Sequence, residues 1–143
     1  MHAALSNGAV RLVNTGSIQF GGRLEIFVSI SSEWGTVCDD SWGSSDAAVA
    51  CRQMGFLNVS DSNSSLFGSG ESSKRIWLSD VACTGSESLL IDWSHNGNTS
   101  DCSHFEDVGI VCSNGEWERI ELLYVDYNDI HVQIIACPLI YRS

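Results

Sequence analysis

The chain has 143 residues, with seven Lys and Arg against eighteen Asp and Glu and a net charge of −11. That balance excludes a nucleic-acid binder, which needs clustered basic residues against phosphate, and it disfavours an anionic membrane surface. Cations, or basic patches on a partner, are the favoured counterparts. The length suits one domain with an appendage.

Residues 1–9 read as a lead-in. Met1 to Ser6 lack the basic start and long apolar run of a signal peptide, so the chain is expected to be an excised module. No stretch approaches the apolar length that spans a membrane, and no direct membrane insertion is expected. Val10-Arg11-Leu12-Val13 is a first strand, followed by an Asn14-Thr15-Gly16 turn. Residues 23–28 form a second strand with Leu24, Ile26 and Val28 on one face. Ser31-Ser32-Glu33 turns the chain back, so the next strand should close a hairpin.

That next stretch, residues 34–42, reads Trp-Gly-Thr-Val-Cys-Asp-Asp-Ser-Trp. Thr36 and Val37 favour a strand, expected as a half-buried edge that ends at Cys38. Asp39 and Asp40 then place two like charges side by side. Such a pair usually has a counter-charge in a basic side chain, a helix N-terminus or a hard cation.

A helix follows. Ser44 or Ser45 is a good N-cap, and Asp46 puts negative charge in the first turn. Ala47, Ala50, Cys51 and Met54 share one face, and Gly55 is a natural stop. Residues 58–73, rich in Ser, Asn and Gly, read as a loop. Ile76-Trp77-Leu78 is a short strand continued through residues 79–83, and residues 108–112 are a last strand ending in Cys112. Residues 114–143 are a tail of different character. Its two apolar runs, 120–125 and 130–135, flank Asp126-Tyr127-Asn128-Asp129 and suggest a β-hairpin.

The cysteines are Cys38, Cys51, Cys83, Cys102, Cys112 and Cys137, with no Cys-x-x-Cys pair. Wide spacing and an even count point to disulfides and an oxidising compartment rather than zinc or a redox pair. Sequons at Asn58, Asn63 and Asn98 agree with a secreted protein or an ectodomain glycoprotein. No nucleophile elbow, zinc-protease helix or phosphate loop appears, so an enzyme is not expected. A triad drawn from Ser100, Asp101 and His104 would rest on sequence proximity alone.

Four ordered blocks carry a resemblance: residues 34–40, residues 48–55 (Ala-Val-Ala-Cys-Arg-Gln-Met-Gly), residues 76–83 (Ile-Trp-Leu-Ser-Asp-Val-Ala-Cys) and residues 101–112 (Asp-Cys-Ser-His-Phe-Glu-Asp-Val-Gly-Ile-Val-Cys). Over residues 10–113 the chain resembles the scavenger receptor cysteine-rich domain. The resemblance implies an α+β fold in which a curved antiparallel sheet cradles one main helix. It also implies bridges Cys38–Cys102 and Cys51–Cys112, each closing a loop of some sixty residues and worth ~4 kcal/mol through the unfolded state. Members with eight cysteines have a further pair where this chain carries Phe20 and Phe56, and two aromatics can replace that bridge by packing. The usual partner of Cys83 falls where Trp93 stands. Cys83 therefore either bridges to Cys137 or both remain free or intermolecular thiols.

The resemblance further implies a Ca2+ or Mg2+ site at Asp39, Asp40 and Glu106, weakly held, with a second position drawing on Asp80 and Asp101 or, less well, Asn98. The competing explanation is that Asp40 or Asp46 caps the helix and Glu106 pairs with Arg23 or Arg52. The function implied is recognition of an extracellular protein or of a polyanionic ligand such as a microbial polysaccharide. A bound cation would bridge anionic groups to an acidic protein. The alternative is a structural or regulatory ectodomain that contacts its neighbours without a metal. Basic patches are the other route the resemblance implies, and Arg11, Arg23, Arg52, Lys74 and Arg75 are too few for one.

Overall fold

The computed structural model describes residues 5–14, 16, 18–63, 67–92 and 98–114. Its strands are β1 (Val10–Val13), β2 (Gly21–Val28), β3 (Glu33–Val37), β4 (Asn58–Ser62), β5 (Arg75–Leu78) and β6 (Gly109–Ser113). Among the described residues the single α-helix is α1 (Ser44–Gln53), and two 3-10 turns cover Leu90–Asp92 and His104–Glu106. The chain divides into two units, Met1–Ser113 and Asn114–Ser143. The tail hairpin expected around residues 120–135, and Cys137 and Trp93, lie outside the described residues.

β2 is the hub of a curled α+β sheet. It pairs antiparallel with β1 (Leu12 opposite Leu24), with β3 (Glu25 opposite Thr36) and, at its start, with β6 (Gly22 opposite Ile110). β4 lies outside β6, and β5 outside β3. The β3–β5 pair is parallel, the one exception to an otherwise antiparallel sheet among the described strands. β3 is therefore an interior strand rather than the edge its composition suggests, and Thr36 and Val37 are fully buried. The chain also differs from expectation at residues 58–62, which form a strand rather than loop. Only Val59 of β4 packs on the core, so the segment lacks the apolar alternation that marks a strand in sequence.

One face of β2 presents Leu24 and Ile26, both fully buried, to the Ala47, Val49, Ala50 and Cys51 face of α1. Each such aliphatic side chain contributes about 1.5–3 kcal/mol by leaving water. The helix starts one residue before the expected serines. Gly43 is the N-cap, and its N–H donates to Asp46 Oδ2 at 2.7 Å. Asp46 is buried, and its other oxygen accepts from the Cys83 N–H. One carboxylate thus caps the helix and ties in the 79–83 segment, which is not strand beyond Leu78. Gly55, at φ 97°, ends the helix as its position predicts.

Two bridges hold this layer. Cys51–Cys112 joins α1 to β6 with a Cα–Cα distance of 5.6 Å, and Cys38–Cys102 joins the end of β3 to the segment before β6 at 6.2 Å. Phe20 and Phe56 meet with ring centroids 5.0 Å apart. The two positions to which the resemblance assigns the extra pair of eight-cysteine members are thus joined by a tilted ring pair.

The opposite face of β2 holds a feature the sequence did not announce. Glu25 is fully buried there. Arg11 donates to its Oε1 through Nε (3.0 Å) and through the guanidinium terminus (2.7 Å). Arg23 (3.4 Å) and Lys74 (3.6 Å) pair with its Oε2. Arg11 also stacks over Trp34, 4.1 Å from the ring centroid, and Trp34 packs against Phe27. Arg23 reaches the Ser69 carbonyl, which draws the 67–74 segment over this node.

Candidate functional site

The site is assembled by backbone pairing before any side chain is considered. Beyond β3 the chain continues as an isolated bridge between Cys38 and Asp107. The Val108 N–H donates to Val37 O, and the Asp39 N–H donates to Glu106 O at 2.9 Å. The Cys38–Cys102 disulfide closes the same junction covalently. Asp40 and Glu106, sixty-six positions apart in number, are neighbours because of these links.

One oxygen of Asp40, one of Glu106 and both sulfurs of the 38–102 bridge lie within 4.8 Å of one another. Bonded sulfurs are poor donors to a hard cation, so the carboxylates are the groups suited to hold one. Asp40 Oδ2 sits 3.7 Å from Cys102 Sγ. Partial burial first, and then the negative charges of Asp101, Glu106, Asp80 and Asp39, hold the Asp40 carboxyl above its usual range. The other four predicted carboxylates thus act on Asp40, but only Glu106 converges with it at ligand distance. Asp39 is absent from that set. The chain turns at this point, with the Trp42 N–H donating to the Asp39 carbonyl at 3.0 Å.

The competing explanation for these carboxylates holds in one part and not in the other. Asp46, one of the two caps it offered, does cap the helix. Glu106 pairs with no arginine among the described residues. Its Oε2 accepts from Ser103 N (3.0 Å) and Ser103 Oγ (3.1 Å), a capping arrangement that fixes the 3-10 turn. Arg23 is engaged at Glu25, and Arg52 donates to the Gly85 and Glu87 carbonyls at 2.8 Å each. Asp80 accepts from Ser41 Oγ at 2.9 Å.

His104 is held from both sides. Its Nδ1 lies 2.9 Å from Asp107 Oδ2, and its Nε2 lies 2.9 Å from the Lys74 carbonyl. Both ring nitrogens face acceptors, and neither faces a serine hydroxyl, so the triad of Ser100, Asp101 and His104 is not assembled. Between His104 and Glu106, Phe105 is 86% exposed. Sequence reading passed over this residue; its only signal was an apolar side chain inside an otherwise polar block.

Cys83 forms no disulfide among the described residues. Burial, and then its hydrogen bond to Asp46, push its thiol up to about 12. The sequon residues Asn58, Asn63 and Asn98 are all exposed. No helix among the described residues is long and apolar enough to cross a membrane.

A curled sheet with one helix, two long-range bridges and an acidic surface cluster defines a disulfide-stabilised recognition domain of extracellular type. Residues 14–113 match the family model for the scavenger receptor cysteine-rich domain, and the chain belongs to that family. Lysyl oxidase homolog 2A of Danio rerio is 49% identical over 106 residues, covering 73% of this chain and 14% of that protein. Lysyl oxidase homolog 4 of Bos taurus is 46% identical over 112 residues, covering 77% and 14%. The chain thus spans about one-seventh of the length of these relatives. Among solved structures, the third such domain of murine neurotrypsin is 37% identical with a TM-score of 0.61, covering 73% of this chain and 94% of that one. The domain of mouse MARCO, in a dimeric form, is 38% identical with a TM-score of 0.57, covering 77% and 94%. Domains of this family are extracellular ligand-recognition modules, and this chain is one of them.

Proposed function

We propose that this domain is a non-enzymatic module that recognises an extracellular protein or polyanionic ligand through a divalent cation, Ca2+ or Mg2+. Asp40 and Glu106 would hold the ion, and Asp39, Asp80 and Asp101 would supply surrounding negative charge, with Asp80 and Asp101 adjoining as a second position. The observation that supports this reading is the Asp40 carboxyl itself. It is raised by partial burial and by four like charges, and no Lys or Arg among the described residues pairs with it. Hard oxygen donors without a protein counter-charge suit a hard cation. With two carboxylates in contact range, the affinity belongs in the range of extracellular modules, about 10⁻⁴–10⁻³ M. Open coordination positions would then bridge anionic groups of the ligand. Glycans on the exposed Asn58, Asn63 and Asn98 are part of the same reading.

Calcium titration calorimetry of the wild-type chain and of Asp40→Ala tests it. Binding heat is expected in the wild type and is expected to vanish in the variant. No heat in the wild type removes the cation from the reading.

The outer sheet face favours a second reading, metal-free contact with a protein neighbour. Arg11 has 43% of its side chain exposed and lies stacked on Trp34, which offers a preorganised planar cation. Ligand binding that persists in EDTA and is lost in Arg11→Ala would select this reading over the first.

A further inference from the structure

We infer that Phe105 is the apolar anchor of the recognition surface, and that its partner is a protein segment presenting an apolar side chain flanked by basic ones. The inference rests on the recognition reading for where the ligand sits, but not on a bound cation.

Single exposed apolar residues are ordinary on protein surfaces. Phe105 differs in how it is held. Its 3-10 turn is fixed on both sides. His104 is tied to Asp107 and to the Lys74 carbonyl, and Glu106 is tied to Ser103. The Phe105 N–H itself donates to Ser103 Oγ at 3.3 Å, and the Asp39 N–H grips the Glu106 carbonyl. The turn cannot relax to fold the ring inward without breaking these bonds. A phenyl group 86% exposed on a rigid turn loses little conformational freedom when a partner covers it. Ile30, more exposed at 93%, lies in the turn between β2 and β3.

The charge of the junction to which the turn belongs selects the occupant. Glu106 is its chain neighbour, and Asp39, Asp40, Asp80 and Asp101 crowd the same junction. A divalent ion offsets two of these five charges, so the loaded surface stays acidic. A partner apolar group that reaches Phe105 must therefore carry a basic rim rather than an acidic one. A polysaccharide offers neither an apolar side chain nor basic groups, which separates the inference from the polyanionic arm of the proposed function.

The test uses two defined probes: a short peptide of alternating lysine and leucine, and a lysine–serine peptide of equal length and charge. Each is titrated into the full chain by NMR, in calcium and in EDTA. The leucine peptide is expected to bind about tenfold more tightly, the lower end for burying an aliphatic side chain against a ring. Shifts should centre on residues 103–107, and the ratio should fall to near one in Phe105→Ser. The exposed position keeps that variant folded, which its amide spectrum checks. A ratio near one in the wild type, a ratio unchanged in Phe105→Ser, shifts centred on Ile30, or no measurable binding of either peptide overturns the inference. A missing calcium heat with the peptide ratio intact would instead overturn only the cation reading.

Discussion

Two acidic regions of this domain are built in opposite ways. On the outer sheet face one carboxylate, Glu25, is fully buried and faces three cations, Arg11, Arg23 and Lys74. At the β3–β6 junction several carboxylates gather near the surface, and no Lys or Arg pairs with Asp40 or Glu106 among the described residues. The chain owns seven basic residues against eighteen acidic ones, and three of the seven are committed to Glu25. The first region is closed electrostatically by the fold. The second has no such partner among the described residues. That contrast, rather than acidity as such, is what the proposed cation site rests on.

The largest effect expected from breaking the contrast is at the closed region. Glu25→Leu strands three cations on a buried face. It should cost about 3 kcal/mol in urea unfolding, the lower end for a broken buried pair because Arg11 and Lys74 still reach water. A loss under 1 kcal/mol would mean the node is a solvated cluster. Arg11→Ala should follow at about 1–2 kcal/mol, since it removes two charge-assisted hydrogen bonds and a stacked ring contact but leaves Arg23 and Lys74 in place.

At the open region the sign reverses. Asp40→Asn relieves repulsion, so thermal unfolding should show no loss of stability, and a small gain at low salt, while calcium binding heat disappears. Destabilisation there would show that Asp40 has a protein partner after all. The pH dependence sharpens the same point. Because the Asp40 carboxyl is raised, the folded state holds its proton more tightly than the unfolded chain does. Its contribution to stability is therefore present below the raised value and falls as pH climbs through it, opposite to a salt-bridged aspartate. Apparent calcium affinity should weaken on acidification, starting above the range of an ordinary aspartate, because the ion must displace that proton. Calorimetry across a pH series reads this slope, and Asp40→Asn should flatten the stability component.

Sequence reading reached the fold through local signals: the alternation of Leu24 and Ile26, the helical spacing of Ala47, Ala50 and Cys51, and cysteine blocks in a recognisable order. It failed where the cause is tertiary. Glu25 alternates correctly for the polar face of β2, and nothing local says that face is covered by the 67–74 segment. Arg11 and Arg23, the residues opposite and two before Glu25, were the available hint. Gly43 caps α1 because Asp46 reaches back to it, which outweighs the intrinsic preference for Ser44. At the site, Asp40 and Glu106 were legible through the bridge that unites their segments. That Asp39 does not converge with them at ligand distance was not, because it depends on the geometry of the turn that follows Cys38.

The Phe20–Phe56 contact has a consequence for how the domain is made. A ring pair needs no oxidant and forms no covalent mispairing. Compared with an eight-cysteine relative, removing one cysteine pair cuts the possible pairings roughly sevenfold. The clasp it forms between the entry to β2 and the exit of α1 can open and close thermally, on the timescale of packing rather than of thiol exchange. A reductant therefore acts on the two bridges and not on this contact directly, which lasts as long as the fold around it does.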